Sequence, residues 1–292
     1  NKVKVLISDV DRIRWKQDLI EDKEILENLL KEAKKISVER DAKLEKIKEV
    51  IQNKIENGYN IEGNQIYDDT FNIFKKMAIP AGAIIFLLLI LFGGIYTLTL
   101  FTIFGNPTEI QTFFESLALL QLSPDILAYY ILGSATINGI MAIFGAGFIK
   151  MARDVYHNEL PKFSTPFIYF TKVEGLKVFA FTILVQVIYN AISLGLESIG
   201  LSMVGLFVMI LINLLTLLVV PFIIFDKMPI FKALGASVSL INQKPFKILM
   251  YLILLGLLSL SGILIFFIGL IVTLPIIYCF NYSIYENIVN KN

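Results

Sequence analysis

Ile248 to Tyr285 is a run of 38 residues that contains no Lys, Arg, Asp, Glu or His. A continuous helix of that length would reach roughly 57 Å at about 1.5 Å per residue, against a bilayer core about 30 Å thick. The run is too long for one upright span and barely long enough for two. A chain that carries it reads as an integral membrane protein, and its topology turns on how the run divides.

Composition agrees. Hydrophobic residues make up 56% of the 292 and mean hydropathy is +0.70, beyond an ordinary soluble domain. Charge is unevenly spread: residues 1–66 hold 14 Lys+Arg and 14 Asp+Glu, the remaining 226 hold 12 and 11. The net charge of +1 argues against nucleic-acid binding by bulk electrostatics. The single cysteine, Cys279, excludes an internal disulfide, and its apolar setting reads as an inert buried thiol. The first residues are charged and lack the apolar segment of a signal peptide, so none is expected there.

Residues 1–58 read as a soluble charged appendage. Lys2–Ile7 alternates weakly, as a strand remnant would. Ile13, Leu19, Leu26, Leu29, Leu30, Ala33 and Ile36 then recur at helical spacing, with Asp9 or Asp11 as cap. Ser37 is placed to cap a second helix, Val38 to about Glu56, with Leu44, Ile47, Val50, Ile51 and Ile55 on one face. Glu45 and Lys48 are spaced to pair across one turn. The expectation is a helical hairpin or two-helix coiled coil, a surface through which a protein partner or a second copy would dock.

Two segments of it, Asp11–Leu19 (DRIRWKQDL) and Ile36–Ile55 (ISVERDAKLEKIKEVIQNKI), resemble the helical segment between the motor lobes of a bacterial SNF2-like superfamily-2 helicase. The resemblance covers about the first 57 residues. The phosphate loop and acidic metal-binding motif of such motors are absent, so it implies no ATPase or nucleic-acid role. It implies a fusion or chimeric join near Asn57–Tyr59.

Residues 59–292 read as the membrane domain. Spans are expected at about 77–104, with Pro80 in the first turn, then 126–149, 178–199, 203–225, 248–266 and 269–286. Thr108–Asp125, with Ile110, Phe113, Phe114, Leu117 and Leu120, reads as an interfacial helix, and Ile230–Asn242 as a second amphipathic helix. Ala135, Gly139, Ala142 and Ala146 recur every three or four residues, the spacing at which helices pack closely in lipid. Pro221 and Pro275 are candidates to kink or break their helices. Lys75, Lys76 and the loops 150–177 and 226–247 carry the positive charge, while loops 105–125 and 197–202 carry only acids. The positive-inside rule places the basic loops and the N-terminus in the cytoplasm.

Three lead-in segments close on lysine before an apolar run: 70–76, 166–172 and 239–247. The first two precede hairpins of two spans. Read as an internal repeat, they predict a third hairpin, turning between Ser259 and Gly269, and a cytoplasmic C-terminus. The fold class expected is therefore all-α, a polytopic bundle of six transmembrane helices in three hairpins behind a charged helical appendage. The closing pattern, Lys232-Ala233-Leu234, Ser237, Lys244 to Ile248, Ile268 to Pro275, Tyr282 and Tyr285, resembles six-helix bacterial inner-membrane proteins. That group includes the membrane domain attached to some glycerophosphodiester phosphodiesterases. The resemblance, over about residues 60–288, implies the fold and a bacterial inner-membrane location and supplies no catalytic residues.

No catalytic, cofactor or metal site is nominated. His157 stands beside Asp154 and Glu159 without a second His or Cys, and reads as a solvated loop residue. Every acid or base falls at a span end or in a loop, which argues against ion coupling at depth. The polar residues at depth are neutral: Asn138, Gln186, Asn190 and Asn213 are the candidate cavity lining. Two functions fit this pattern. One is a non-enzymatic envelope, lipid-associated or scaffolding protein; the other is a permease for a neutral or amphiphilic solute.

Overall fold

The computed structural model describes residues 2–118, 123–264 and 268–291. Among these, all regular structure is helical and no strand occurs. The chain divides into two compact units, Asn1–Val50 and Ile51–Asn292.

The first unit is helical throughout its described residues, as part of α1 (Lys2–Asn57). Two expectations are corrected here. Lys2–Ile7 is not a strand, because a lone strand has no ladder partner to satisfy its backbone. Ser37 does not begin a second helix: serine costs only a few tenths of a kcal/mol against alanine in a helix interior, and the Lys, Glu and Ala around it are strong helix formers. In place of a hairpin there is one helix. Glu45 and Lys48 form the expected ion pair. The side chains of Ile13, Leu19, Leu26, Leu29, Ala33 and Ile36 lie outside the described residues, as does Leu120.

The second unit begins at Ile51, ahead of the boundary expected near residue 58. Ile51 and Lys54 are buried. Gln243 Nε2 donates to the carbonyls of Lys54 (2.9 Å) and Ile55 (3.1 Å), which α1 leaves open at its C-terminus. Tyr59 donates its hydroxyl to Leu240 O at 2.7 Å, and Lys247 Nζ donates to Ile61 O at 2.6 Å.

Five helical runs among the described residues are long and apolar enough to cross a membrane. They are Gly63–Phe104 (α2), Asp125–Tyr156 (within α4, Pro124–Tyr156), Val173–Ser198 (α5), Ser202–Phe225 and Pro245–Ile263. Their outward faces carry exposed Ile79, Leu98, Tyr129, Met203 and Phe207. In water each such side chain would forgo roughly 1.5–3 kcal/mol of burial; facing lipid it forgoes nothing comparable. The helix α2 passes through Pro80, which lies well inside it rather than in a first turn. Between α2 and α4 lies α3 (Pro107–Ala118), capped by Asn106, whose Oδ1 accepts from Glu109 N at 2.9 Å.

Three of the four small residues expected to pack closely on α4, Ala135, Gly139 and Ala146, are buried, and Gly139 lies against Phe179 of α5. At Gly147 a Cβ would overlap the backbone of Pro166, so glycine is what lets the 3-10 segment Thr165–Thr171 lie on α4. In that segment burial raises the pKa of Tyr169, with Glu174 and Asp154 adding to the rise and Arg153 opposing it. The three lead-in segments take three local forms: a continuous α-helix, a 3-10 helix, and the end of α8 (Ile230–Ile241) followed by a turn. Whatever repeats among them is not backbone conformation.

Past α9 (Pro245–Leu260) the backbones of Gly262 and Gly269 meet, and Thr273 Oγ1 donates to Ser259 O at 2.6 Å. Residues 265–267, where the expected turn falls, lie outside the described residues. The stretch expected as one span over 269–286 is divided into α10 (Ile268–Thr273) and α11 (Pro275–Tyr285). Pro275 lacks the N–H that would continue the helix. α11 is the centre of the bundle, packed against α2, α4 and α9. Residues 282–289 are all buried, as is Cys279, whose Sγ lies 3.8 Å from Met77 Sδ.

Candidate functional site

The expected fourth span is two helices, α6 (Ser202–Leu215) and α7 (Val219–Phe225). The cause is Pro221. A proline lacks the amide hydrogen that would bond the carbonyl four residues earlier, and its ring crowds that carbonyl. Here that carbonyl belongs to Leu217, and the helix opens over 216–218.

Two side chains from other elements close the opening. Asn281 of α11 donates Nδ2 to Leu217 O at 3.2 Å. Ser237, buried on α8, donates Oγ to Leu215 O at 2.6 Å and accepts from Leu218 N at 3.2 Å. The second amphipathic helix thus supplies a hydrogen-bonding group to the fourth span.

Beside the opening lies a cleft of about 500 Å³, walled by α5, α6, α7, α9 and α11. None of its lining residues is charged. Five are polar: Thr182, Gln186, Asn213, Thr216 and Asn281. The threonine hydroxyls bond back to Val178 O and Ile212 O in their own helices, and Asn213 Nδ2 bonds to Met209 O at 2.9 Å. Asn281 Oδ1 differs. It is buried and accepts no hydrogen bond. Packing shuts that oxygen off from the space of the cleft, and an acceptor left unpaired there costs about 1–3 kcal/mol. The carboxamides of Gln186 and Asn213 are what the lining offers to the hydroxyl or amide of a ligand.

Of the four residues expected to line a cavity, Gln186 and Asn213 do so. Asn190 does not line it; its Oδ1 lies 3.4 Å from Gln186 Nε2. Asn138 is exposed on α4, where its Nδ2 bonds Ser134 O. Sequence reasoning missed Asn281, although it is the one Asn or Gln in the whole run Ile248–Tyr285.

A second polar group forms at the end that carries the basic loops. Tyr285 donates to Asp226 Oδ2 (2.7 Å), and Tyr282 donates to Glu286 Oε2 (2.9 Å). Asn290 Nδ2 donates to the same oxygen of Glu286 at 2.7 Å. Asp69 of α2 accepts from Asn287 (3.0 Å) and Lys291 (2.8 Å). Burial disfavours the Lys291 ammonium, but Asp69 and the Tyr156 hydroxyl outweigh it and hold its pKa above the usual lysine value. All three carboxylates have side-chain donors, so the group fastens the last helix in place. His157 lies 3.4 Å from the Tyr282 hydroxyl. Among the described residues no three His, Cys, Asp or Glu side chains converge to hold a metal ion.

No protein-family model, curated protein or solved structure matches this chain.

Proposed function

We propose that this chain is a six-span membrane protein that holds a neutral or amphiphilic molecule within the bilayer, in a non-enzymatic, lipid-associated role. The observation that carries this reading is the cleft of about 500 Å³ beside the break in the fourth span, with uncharged lining and the carboxamides of Gln186 and Asn213 on its wall. An apolar wall with a few placed dipoles selects for an amphiphile that can donate a hydrogen bond. In this reading α9 forms the fifth span and α10 with α11 the sixth. The basic loops and both termini face the cytoplasm of a bacterial inner membrane.

The interruptions at 216–218 and before Pro275 favour a second reading, a permease, because discontinuous helices near the middle of the bilayer are where carriers place their substrates. Uptake into proteoliposomes separates the two. A binder shows saturable binding of a single-chain monoglyceride and no transport; a permease shows both.

Cysteine accessibility in intact cells tests the span count, with Cys279→Ser as background and probes at Ser116, Ser202, Ser261 and Asn290. Six spans require Asn290 to be protected from an impermeant reagent and Ser116, Ser202 and Ser261 to react. Gln186→Leu removes a carboxamide from the lining and should weaken monoglyceride binding by about tenfold, at roughly 1.4 kcal/mol for one hydrogen bond in a dry site. Unchanged binding would remove the cleft from the function.

A further inference from the structure

A second pocket, of about 390 Å³, lies at the end that carries the basic loops, with no lining residue in common with the cleft. Asp69, Asn72, Lys75 and Lys76 of α2 form one wall, and Tyr156 and Asn158 form the other. Asn158 has a left-handed backbone (φ +63°), which asparagine tolerates better than most residues. Its Oδ1 lies 3.4 Å from Lys76 Nζ.

Two cations line this pocket, and a third lies against two of its lining residues. Lys75 and Lys76 are exposed at the last turn before the apolar part of α2, and Lys291 Nζ lies 5.2 Å from the centre of the Tyr156 ring. The one carboxylate in the lining, Asp69, is already bonded by Lys291 and Asn287. Lys75 and Lys76 therefore bring two positive charges that no other carboxylate of the lining offsets. Their surroundings are also directional. Ile79, one turn beyond Lys75, is followed at helical spacing by Ala83, Phe86 and Ile90, all exposed. Side chains three and four apart share a helix face, so an apolar stripe runs from the lysines along α2.

We propose that this pocket binds the phosphate group of an anionic phospholipid, with an acyl chain lying on the Ile79–Ile90 stripe. The proposal rests on the membrane-spanning reading and is independent of the cleft. A free phosphate ion would meet the same lysines, but it would leave the stripe unused. Basic pockets between helices at the membrane surface recognise anionic headgroups by this combination of charge and adjoining apolar surface.

The test uses the full chain in neutral detergent, titrated by native mass spectrometry with phosphatidylglycerol and with phosphatidylcholine, and by calorimetry with inorganic phosphate. Phosphatidylglycerol should bind at least about tenfold more tightly than phosphatidylcholine, and Lys75→Gln with Lys76→Gln should remove about tenfold of that affinity. The control pair Lys162→Gln with Lys172→Gln removes the same charge from exposed loop positions and should change affinity by less than about twofold. Both α2 lysines are exposed, so the thermal midpoint should not move; if the pair does destabilise the protein, Lys75→Gln alone should still cost about threefold. Equal losses in test and control pairs would reduce the effect to bulk charge and overturn the proposal. Equal binding of the two lipids would do the same, and inorganic phosphate binding as tightly as phosphatidylglycerol would make this a soluble-anion site. None of these outcomes bears on monoglyceride binding in the cleft.

Discussion

Asn281 Nδ2 takes the place of the amide hydrogen that Pro221 lacks, donating to Leu217 O at 3.2 Å across two helices. This gives a double-mutant prediction. Asn281→Leu alone strands the carbonyl and should cost about 1–2 kcal/mol of stability in detergent. Pro221→Ala restores a backbone donor for the same carbonyl. In that background Asn281→Leu should cost at most about 0.5 kcal/mol. Additive losses would mean that the two groups do not share an acceptor.

Gly147 and Gly133 lie on the same helix but in different surroundings. A Cβ at Gly147 would overlap the Pro166 backbone, while nothing lies within 4 Å of one at Gly133. Gly147→Ala should destabilise by about 1–3 kcal/mol through forced separation of α4 from the 3-10 segment. Gly133→Ala should be neutral or gain up to about 1 kcal/mol from helix propensity. Thermal unfolding of the two variants in one detergent makes the comparison.

Lys54 is buried with no hydrogen-bond partner for Nζ, and burial lowers its pKa from the ordinary 10.5. A lysine whose folded pKa is lowered weakens the fold while both states are protonated. The penalty fades as pH rises from the folded pKa to the unfolded one, and is gone above it. Lys54→Met should therefore raise stability at pH 7, and the gain should vanish above the ordinary lysine value of 10.5. A gain that persists at high pH would trace to packing rather than charge.

The end of α1 belongs with the second unit, which makes two truncations unequal. A chain starting at Ile51 keeps the buried Ile51 and the Gln243 bonds to Lys54 O and Ile55 O. One starting at Tyr59 loses both, and should be less stable by about 2 kcal/mol while keeping the same cysteine-accessibility pattern. Equal melting points would show that residues 51–58 contribute nothing.

The apolar runs could be read from the sequence because a span is defined by composition over about twenty residues, and composition is local. Five of the expected spans have a counterpart, with ends shifted where helices continue past their lysines, as α4 does through Lys150 and Arg153 to Tyr156. Pro221 and Pro275 flagged the interruptions. What closes the first of them could not be read locally. Asn281 is 64 residues from Leu217, and Ser237 is 19 residues from Leu218; neither pairing leaves a periodic trace. The same holds for the cleft. Asn138, Gln186, Asn190 and Asn213 look alike as lone carboxamides in apolar helices, and only the packing of α5, α6, α7, α9 and α11 puts Gln186 and Asn213 on one cavity and leaves Asn138 outside it. At Ser37 the sequence held a capping residue but no terminator before it, and α1 continued.

The repair of the fourth span also has an order in time. A chain made from its N-terminus contains α6 and α7 shortly before Ser237 and long before Asn281. Until then the Leu215 and Leu217 carbonyls lack their later partners and the break is free to bend. Its final shape waits for α11, so the fourth span stays unsealed until a helix far along the chain packs against it. A chain stopped short of Asn281 would present that unsealed span to whatever quality control inspects new membrane proteins.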